Sequence, residues 1–486
     1  MEKSHAFFVH SWVHCSIFFL FFCLADIKLV AGNGSEVVSD TFHIRDFGAR
    51  GNGRDNCTAA FQQASEKLQQ KGGVLIIDPG TYIVGKQFLS KAFGAGSSYL
   101  SEPILSFKRV RHPISIIGVG ATIKAASGLK FGSFHPVTGK KDSLRKIGNR
   151  SDYYAAAFVF IDAEECTSVS VANLIMDGNS PNMDIGPAFD ADGIQLMATG
   201  IRMYNNQKVN IEDCYIHHCG LDAIIIGWTG LKHTDPIYPH TIRNVRARYN
   251  GRQGISWVGG NHLSVTGSEF SSTGKAINNG KFVVSKPCAG IDIEIEDAII
   301  KNGLFENCYV FDNTGPGLSS IGHDTYNINF KRDAFIGTTN SALYPKTQGL
   351  SFDSCLFVGK VERIFGSSDK TKAISFKNSL FTMQEGRSPN GKVFGDHCEF
   401  YEGVNVVFDN CEFDAAKRRL PVFNFREIVF KDCKFSQDNA ADFKASATFM
   451  GTTTFDMKGP GKVDVTEATF QGQIIYNKRR VARISY

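Results

Sequence analysis

Three acidic residues alternate with isoleucines in one short segment of the chain. Asp292, Glu294 and Glu296 occupy every second position there, which on a β-strand places all three on one face. Positions two apart on a strand are separated by ~6.6 Å, so two of these carboxylates could act as general acid and general base on a glycosidic bond. The same oxygens could instead bind Ca²⁺, or the row could be a solvated strand face. Because like charges on one face repel, we expect a functional reason for the row.

Other candidate acids and bases occur in nearby segments. Asp192 and Asp222 each precede a small residue and an isoleucine, and each could be catalytic or belong to a hydrogen-bonded ladder at a bend. If their segments stack, the two carboxylates would lie ~4.8 Å apart, which is close enough to raise a pKa. His323 and Asp324 could supply an acid or base near neutral pH, although a single loop histidine is more often a surface residue.

Aromatic and basic residues follow the same segments and could hold a substrate. Trp228 stands beside glycines, where an exposed ring can stack on a sugar. Trp257 comes two residues after Ile255, and this alternation favours a core position. The further candidates for substrate contacts are Lys232, Arg252, Tyr344, Lys346 and Arg363.

The sequence lacks the usual motifs of other cofactor sites. Neither a Cys-x-x-Cys nor a His-Glu-x-x-His spacing is present, and no phosphate-binding loop or nucleophile elbow stands out. His217 and His218 are adjacent, and strand alternation would point them in opposite directions. We therefore expect no cofactor other than Ca²⁺ on the acidic row.

The relative positions of these residues depend on how their segments stack. Five segments share the order polar or turn residue, small residue, aliphatic residue, and they predict a stack of parallel strands through residues 192–321. The outward column expected from this alignment consists of Gln195, Ile225, Ser256, Asp292 and Ser319.

A second repeat runs to the end of the chain. Its segments read apolar-x-polar-small-x-apolar, and self-similarity at about 20 to 35 residues without a helical pattern indicates a parallel-β solenoid. Because serine and alanine share the small position with cysteine, we expect free thiols, with Cys214 and Cys219 as the nearest pair for one bridge. The residues at the small position are Cys214, Ser268, Cys308, Cys355, Ser379, Cys411, Cys433 and Ala468.

The N-terminal part has a different pattern. An amphipathic helix is predicted from about Thr58 to Gln70, followed by a buried strand over Val74–Ile77. Such a helix would cover the open end of a solenoid. We therefore expect an N-terminal cap over about residues 41–85.

The segment from Asp46 to Gly85, DFGARGNGRDNCTAAFQQA…GGVLIIDPGTYIVG, resembles the N-terminal signature of the pectate-lyase-like superfamily. In that superfamily the signature precedes a right-handed parallel β-helix. The resemblance implies an all-β chain in which one such β-helix, with an N-terminal capping helix, extends from about Thr41 to the end. It does not fix the chemistry, because the superfamily includes hydrolases, lyases, epimerases and phage tailspikes.

The leading functional hypothesis is a glycoside hydrolase that acts on a polysaccharide. Its two catalytic carboxylates would be among Asp292, Glu294, Asp222 and Asp324. The Asn-Thr-Asp, Asp-Asp and Gly-His-Gly motifs of polygalacturonases are absent, and Gly322-His323-Asp324 is only a partial match. The Tyr-Gly-x-Asp-Pro-His motif of alginate epimerases is also absent.

Two alternatives remain open. A polysaccharide lyase or uronate epimerase would need a base to remove the proton next to a uronate carboxyl, and Ca²⁺ or arginine to neutralise that carboxyl. A non-catalytic β-helix could instead bind carbohydrate or mediate adhesion, as a monomer or a trimer. The candidate bases are Lys232, Arg252 and Lys346.

Composition and the N-terminal segment narrow the class of protein. The 486 residues are 42% hydrophobic and 21% charged, which excludes a mainly disordered, collagen-like or coiled-coil chain. A net charge of +5 without a dense basic run gives no indication of nucleic-acid binding.

The apolar run Cys15–Ala25 is too short for a membrane span. We expect a signal peptide over residues 1–31 and a secreted glycoprotein over 32–486, without membrane contact after cleavage. The glycosylation sequons stand at Asn33, Asn56 and Asn149.

Overall fold

A computed structural model describes the chain from Asp40 to Val481 with gaps. The described residues are 40–89, 99–135, 137–142, 158–187, 195–296, 298–322, 325–337, 341–361, 364, 367–382, 404–414, 422–438, 444–459, 463, 465 and 468–481. The predicted signal peptide and the candidate site residues Asp192, His323, Asp324 and Arg363 lie outside the described residues.

Short β-strands dominate the described part of the chain. In the first third they are β1 (Thr41–His43), β2 (Asn52–Asn56), β3 (Gly73–Ile77), β4 (Gly80–Val84), β5 (Gln87–Leu89), β6 (Tyr99–Ser101), β7 (Leu105–Lys108), β8 (Ile114–Ala125), β9 (Lys130–Phe131), β10 (Phe158–Glu164), β11 (Val169–Asp177), β12 (Asp184–Ile185) and β13 (Ala198–Tyr204). In the middle they are β14 (Val209–Glu212), β15 (Tyr215–His217), β16 (Ile224–Gly227), β17 (His240–Arg243), β18 (Arg246–Arg248), β19 (Gln253–Trp257), β20 (Leu263–Thr266), β21 (Glu269–Ser271), β22 (Ile277–Asn278), β23 (Lys281–Phe282), β24 (Ala289–Glu294), β25 (Ile300–Glu306), β26 (Tyr309–Phe311) and β27 (Leu318–Ile321).

The remaining strands continue the same pattern towards the C-terminus. They are β28 (Thr325–Lys331), β29 (Ala334–Ile336), β30 (Leu343–Lys346), β31 (Leu350–Asp353), β32 (Leu356–Val358), β33 (Ile374–Lys377), β34 (Leu380–Thr382), β35 (Val406–Asp409), β36 (Glu412–Asp414), β37 (Val422–Lys431), β38 (Lys434–Gln437), β39 (Lys444–Met457), β40 (Thr469–Tyr476) and β41 (Arg479–Val481). Short 3₁₀ helices span Ile44–Phe47, Ser180–Asn182 and Lys370–Lys372.

Three ladders of parallel strands wind the chain into a coil. One turn contains a strand from each ladder, for example β16, β17 and β18, before β19 begins the next turn. The ladder that starts at β7 and ends at β30 has eight strands, and we call it the groove sheet. The other two ladders share the long strands β8 and β11, so they are continuous as one 27-stranded sheet. This arrangement confirms the predicted solenoid of parallel strands.

The core is formed by the side chains that alternate inward on every strand. In the groove sheet the innermost register is aliphatic, as in Ile201, Ile224, Ile255 and Ile291, and all of these side chains are buried. In the later turns the core of the other two ladders consists mainly of phenylalanine side chains. Consecutive rings stack there, with centroids 4.8 Å apart for Phe352 and Phe376.

The predicted small position lies at the bend between these two ladders. The residue before it has a positive φ, as at Asp213 (53°) and Asn378 (50°), a conformation that asparagine, aspartate and glycine adopt most readily. Nine cysteines of the described chain are buried free thiols, as the mixed use of the position predicts. Cys214 and Cys219 are both among them, so the one candidate bridge is not formed.

Helix α1 spans Thr58–Lys71 and packs beside the first strand of the groove sheet. Phe61, Ala64 and Leu68 are buried on its inner face. The Ser65 hydroxyl donates to the carbonyl of Ser106 on β7 at 2.7 Å. The predicted helix is therefore present, with its boundaries within one residue of those expected.

Helices in the described part of the chain give no candidate for a membrane span, because none is both long and apolar enough to cross a bilayer.

Candidate functional site

The outward column of the groove sheet contains four of the five residues that the alignment predicted for it. Ile225, Ser256, Asp292 and Ser319 are successive Cα partners on neighbouring strands, as the alignment predicted. The prediction was wrong about Gln195, because β13 supplies Arg202 as the partner of Ile225. The strand of that turn begins at Ala198, and Gln195 lies before it.

Asp292 is the most perturbed acid of this column. Its side chain is 5% exposed, and Gln253 Nε2 donates to its Oδ2 at 2.9 Å. Burial, followed by the charge of Glu294, raises the pKa of Asp292 to about 7. A carboxyl with this pKa can be protonated near neutral pH, so Asp292 can donate a proton to a leaving group.

Glu294 lies two residues further along β24 and is half-buried, whereas Glu296 is exposed beyond the end of the strand. The row therefore runs from a buried acid to a solvated one. Among the described residues, these three carboxylates are not a group whose ligand atoms all lie within 4.8 Å of one another. Asp292 and Glu294 therefore have different surroundings, and the three carboxylates do not come together as a Ca²⁺ site.

The carboxylate of Asp222 forms an ion pair with the guanidinium of Arg252. Arg252 Nε donates to Asp222 Oδ1 at 2.7 Å, and the Nη2 group donates to Oδ2. Ser256 Oγ also donates to Oδ2 at 3.0 Å. Asp222 lies on the bend before β16 and is fully buried. Its backbone carbonyl accepts from the Gly200 N–H, so β13 lies beside it on the neighbouring turn. The expected stacking with Asp192 concerns a residue outside the described part of the chain.

A second arginine–aspartate pair lies on earlier turns of the same sheet. Arg202 on β13 donates through Nε and Nη2 to the two carboxylate oxygens of Asp162 on β10, both at 2.8 Å. Asp162 is buried, while the Arg202 side chain keeps 34% of its exposure. Sequence reasoning missed this pair because its members are 40 residues apart, with no local pattern to connect them. The only available signal was the shared register of the two strands.

The two tryptophans have different environments. Trp257 is fully buried, its Nε1 donates to the Gly259 carbonyl at 3.1 Å, and it packs near Phe305. It is a core residue, so its proposed contact with substrate is wrong. Trp228 is half-buried and stacks on Tyr238 with centroids 4.3 Å apart.

A cavity of about 310 Å³ adjoins this stacked pair. Its wall includes polar groups suited to sugar hydroxyls, in addition to the two rings. The lining residues are Arg111, Glu165, Asn205, Gln207, Trp228 and Tyr238.

The remaining basic candidates occupy different places. Lys346 and Tyr344 are both on β30, and the Lys346 ammonium lies 4.7 Å from the centroid of the Tyr344 ring. Tyr344 follows Ser319 in the outward column, two strands from Asp292. Lys232 is exposed on the loop after Trp228, where its backbone N–H donates to Asp235 at 2.8 Å.

Comparisons with known proteins give structural likenesses at low sequence identity. No family model matches the chain, and no curated protein matches it. Solved structures that it resembles include the A-module of the mannuronan C-5 epimerase AlgE4 from Azotobacter vinelandii. That likeness has 15% identity and a TM-score of 0.39, and it covers 89% of this chain and 97% of the other.

The tailspike of E. coli bacteriophage HK620 in complex with pentasaccharide has 10% identity and a TM-score of 0.46, covering 89% and 80%. A hyperthermoactive exopolygalacturonase from Thermotoga maritima has 13% identity and a TM-score of 0.29, covering 91% and 93%. At these identities and scores the likenesses carry no argument about chemistry. The described strands themselves form the parallel β-helix that the sequence predicts.

Proposed function

We propose that this protein is a secreted carbohydrate-active enzyme that hydrolyses glycosidic bonds of a polysaccharide bound along the groove sheet. The observation that carries the proposal is the pairing of Asp292, whose pKa burial and the charge of Glu294 raise to about 7, with Glu294 on the same strand face. Two carboxyl groups with distinct environments are the requirement for acid–base cleavage of a glycoside.

In this mechanism Asp292 protonates the oxygen of the leaving sugar. Glu294 then acts from the same face of β24, either by activating a water molecule or by attacking the anomeric carbon. Gln253 holds Asp292 in place, since its Nε2 donates to Asp292 and its Oε1 accepts from the Ala289 backbone N–H at 2.9 Å. Gln253 is thus a positioning residue, because it acts through Asp292.

The arginines favour an acidic or hydroxyl-rich polymer as the bound substrate. Asp162 fixes the plane of the partly exposed Arg202 guanidinium through paired hydrogen bonds, and this cation can attract carboxylate or hydroxyl oxygens of a polymer. Asp222 holds Arg252 in the same way. Trp228 offers a ring for sugar stacking at the end of β16.

The same arginines support a second candidate function, elimination or epimerisation of a uronate. Arg202, whose side chain is 34% exposed, could neutralise the uronate carboxylate, and Lys346 could remove the adjacent proton. In elimination Asp292 would protonate the departing oxygen, whereas in epimerisation it would return a proton to the carbon from its opposite face. The two candidate functions therefore differ from hydrolysis in the base and in the product.

A panel of neutral glucans, pectins, alginate and glycosaminoglycans tests these candidates, with reducing ends and the ultraviolet absorbance of unsaturated uronates as readouts. New reducing ends without absorbance, which disappear in the Asp292→Asn and Glu294→Gln variants, are the result we expect. Absorbance from an unsaturated product, with or without dependence on Ca²⁺, would overturn hydrolysis in favour of elimination. Binding of a polymer with neither signal would overturn both hydrolysis and elimination.

A further inference from the structure

A cluster of two histidines and an aspartate lies away from the groove sheet, at the end of β15. The Nδ1 atoms of His217 and His218 are 2.7 Å apart, and His217 Nδ1 is 3.6 Å from Asp177 Oδ1. One ligand atom from each of the three residues lies within 4.8 Å of the other two. All three side chains are half-buried, so solution ions can reach them.

The fold brings these residues together although the sequence separates them. Asp177 at the end of β11 is the direct Cα partner of His217 on the neighbouring turn. Simple alternation would send His218 to the other side of the strand. His218 has a φ of 55°, however, and this left-handed bend returns its ring to the side of His217.

The spacing of the three donors is close to that of ligands around one metal ion. Nitrogen ligands of Zn²⁺ lie ~2.0–2.1 Å from the ion, so neighbouring donors in a tetrahedral site are roughly 3.3 Å apart. The hydrogen-bonded Nδ1 atoms of the two imidazoles, 2.7 Å apart, and the 3.6 Å from His217 to Asp177 bracket this value. Small rotations of the imidazoles therefore suffice to receive an ion.

Surrounding contacts hold the ligands in these orientations. The His217 ring lies against Tyr215 with centroids 4.3 Å apart, and the His218 ring stacks on Tyr249 at 5.2 Å. The Asn179 backbone N–H donates to Asp177 Oδ1 at 2.8 Å. Ordered outer contacts of this kind orient metal ligands and raise their affinity.

One contact competes with a cation. The Lys124 ammonium lies 2.8 Å from Asp177 Oδ2 and already balances the charge of that carboxylate. It leaves Oδ1 as the oxygen that faces His217, and its positive charge must weaken the binding of a second cation.

We propose that Asp177, His217 and His218 form a binding site for one divalent transition-metal ion, with Zn²⁺ as the ion that fits its nitrogen and oxygen donors. Three protein ligands leave further coordination positions for water. The site stands outside the groove, and it does not depend on the proposed hydrolysis. It adjoins the groove through the chain, because only three residues separate His218 from Asp222.

Zinc titration of the full secreted chain, after removal of metals with a chelator, tests this proposal. Calorimetry and elemental analysis should give one Zn²⁺ per chain, and Co²⁺ in its place should give a visible ligand-field spectrum. His217→Gln and His218→Asn should each weaken binding by at least about tenfold. Asparagine is chosen for position 218 because it tolerates a positive φ.

The control variant is His43→Ala, since His43 also contacts a carboxylate, Asp78, at 2.9 Å, without belonging to the cluster. It should leave zinc binding unchanged, and Lys124→Gln should strengthen it. Binding that His43→Ala and His217→Gln reduce equally, or no binding by a correctly folded parent chain, would overturn the proposal. Asp292→Asn should bind Zn²⁺ like the parent, which separates a failure of this site from a failure of the groove chemistry.

Discussion

The turns that form the groove sheet differ from the turns that follow them in how often one residue type is repeated from turn to turn. In the later turns, inward positions repeat one residue type, as in the stacked rings of Phe352, Phe376 and Phe408 at 4.8 to 4.9 Å. In the groove sheet the outward column changes at almost every strand. Its successive residues are Ser106, Asp162, Arg202, Ile225, Ser256, Asp292, Ser319 and Tyr344.

This contrast separates stability from function along one chain. Every inward position of a solenoid meets nearly the same surroundings, so the same side chain suits each turn. A stacked pair of rings adds about 0.5–1.5 kcal/mol beyond its buried area. A column in which neighbouring turns differ gains little from repetition, and its residues are free to serve a site.

The largest expected effect is the loss of activity in Asp292→Asn. Removing the proposed general acid should lower kcat about 10²- to 10⁴-fold, measured on the polymer that the panel identifies. In the parent chain, activity should decline above about pH 7, because burial raises the pKa of Asp292 to about 7 and deprotonation removes the acid. Asp333→Asn is the matched control, since Asp333 is also a buried carboxyl but lies outside the groove sheet. Equal loss in both variants would contradict the assignment.

Phe376→Ala should lower stability and leave activity unchanged, which is the reverse of the effect expected for Asp292→Asn. Phe376 is fully buried between the rings of Phe352 and Phe408. Its truncation leaves a cavity in this stack of rings. We expect a loss of about 3–5 kcal/mol in the free energy of unfolding, measured with denaturant. The activity per folded molecule should remain that of the parent. A variant that stays fully stable would show that the ring column does not hold the later turns together.

A smaller effect is expected from the pH dependence of stability at Asp333. Burial raises the pKa of Asp333 to about 7, and its Oδ2 has no hydrogen-bond partner among the described residues. Between about pH 4 and pH 7 the folded chain therefore keeps a proton that the unfolded chain has lost, so stability falls as the pH rises through this window.

Asp333→Asn should weaken this dependence and stabilise the chain at pH 8 by about 1 kcal/mol or more, since one pKa unit corresponds to about 1.4 kcal/mol. Urea unfolding at pH 5 and pH 8 measures both effects. The amide keeps an oxygen for the Cys308 backbone N–H, which Asp333 Oδ1 now accepts at 2.6 Å. An unchanged difference between the two pH values would refute the titration of Asp333.

The smallest effect is expected for Cys411→Ser, at the bend between the two ladders of the 27-stranded sheet. Ser379 accepts a hydrogen bond from the Cys355 backbone N–H at 3.1 Å and donates to the Lys377 carbonyl at 2.8 Å. Cys411→Ser can make the equivalent pair, so we expect a change below about 1 kcal/mol. Cys411→Val should cost about 1–3 kcal/mol, because a branched side chain overfills the position. Thermal unfolding of the two variants side by side measures the difference.

The fold could be predicted because its signals are local. Each small residue at the bend stands within six residues of its own apolar markers, and the αL residue before it is Asn, Asp, Ser or Gly at each aligned position that the structure describes. One turn was less visible, because Asp333 occupies the small position between Lys331 and Ala334. A buried acid does not match a pattern of small residues.

The candidate site was predictable only in part, since its contacts cross between turns. Ser256 and Asp292 followed from strand alternation and alignment. Arg202 did not, because the loop before β13 shifts the start of that strand away from Gln195. The His217–His218 pair was misjudged for a related reason, since alternation fails where a residue takes a positive φ.

The buried cysteines have a consequence for how this protein would be inactivated irreversibly. Thiol–disulfide exchange needs a thiolate, and burial raises the pKa of Cys214 to about 12 and that of Cys219 well above its ordinary value. In the folded coil these sulfurs are therefore inert, even in an oxidising medium. Unfolding exposes them all at once, and random pairing would then block the return to the coil. Outside a reducing compartment, the lifetime of the protein is set by how rarely it opens.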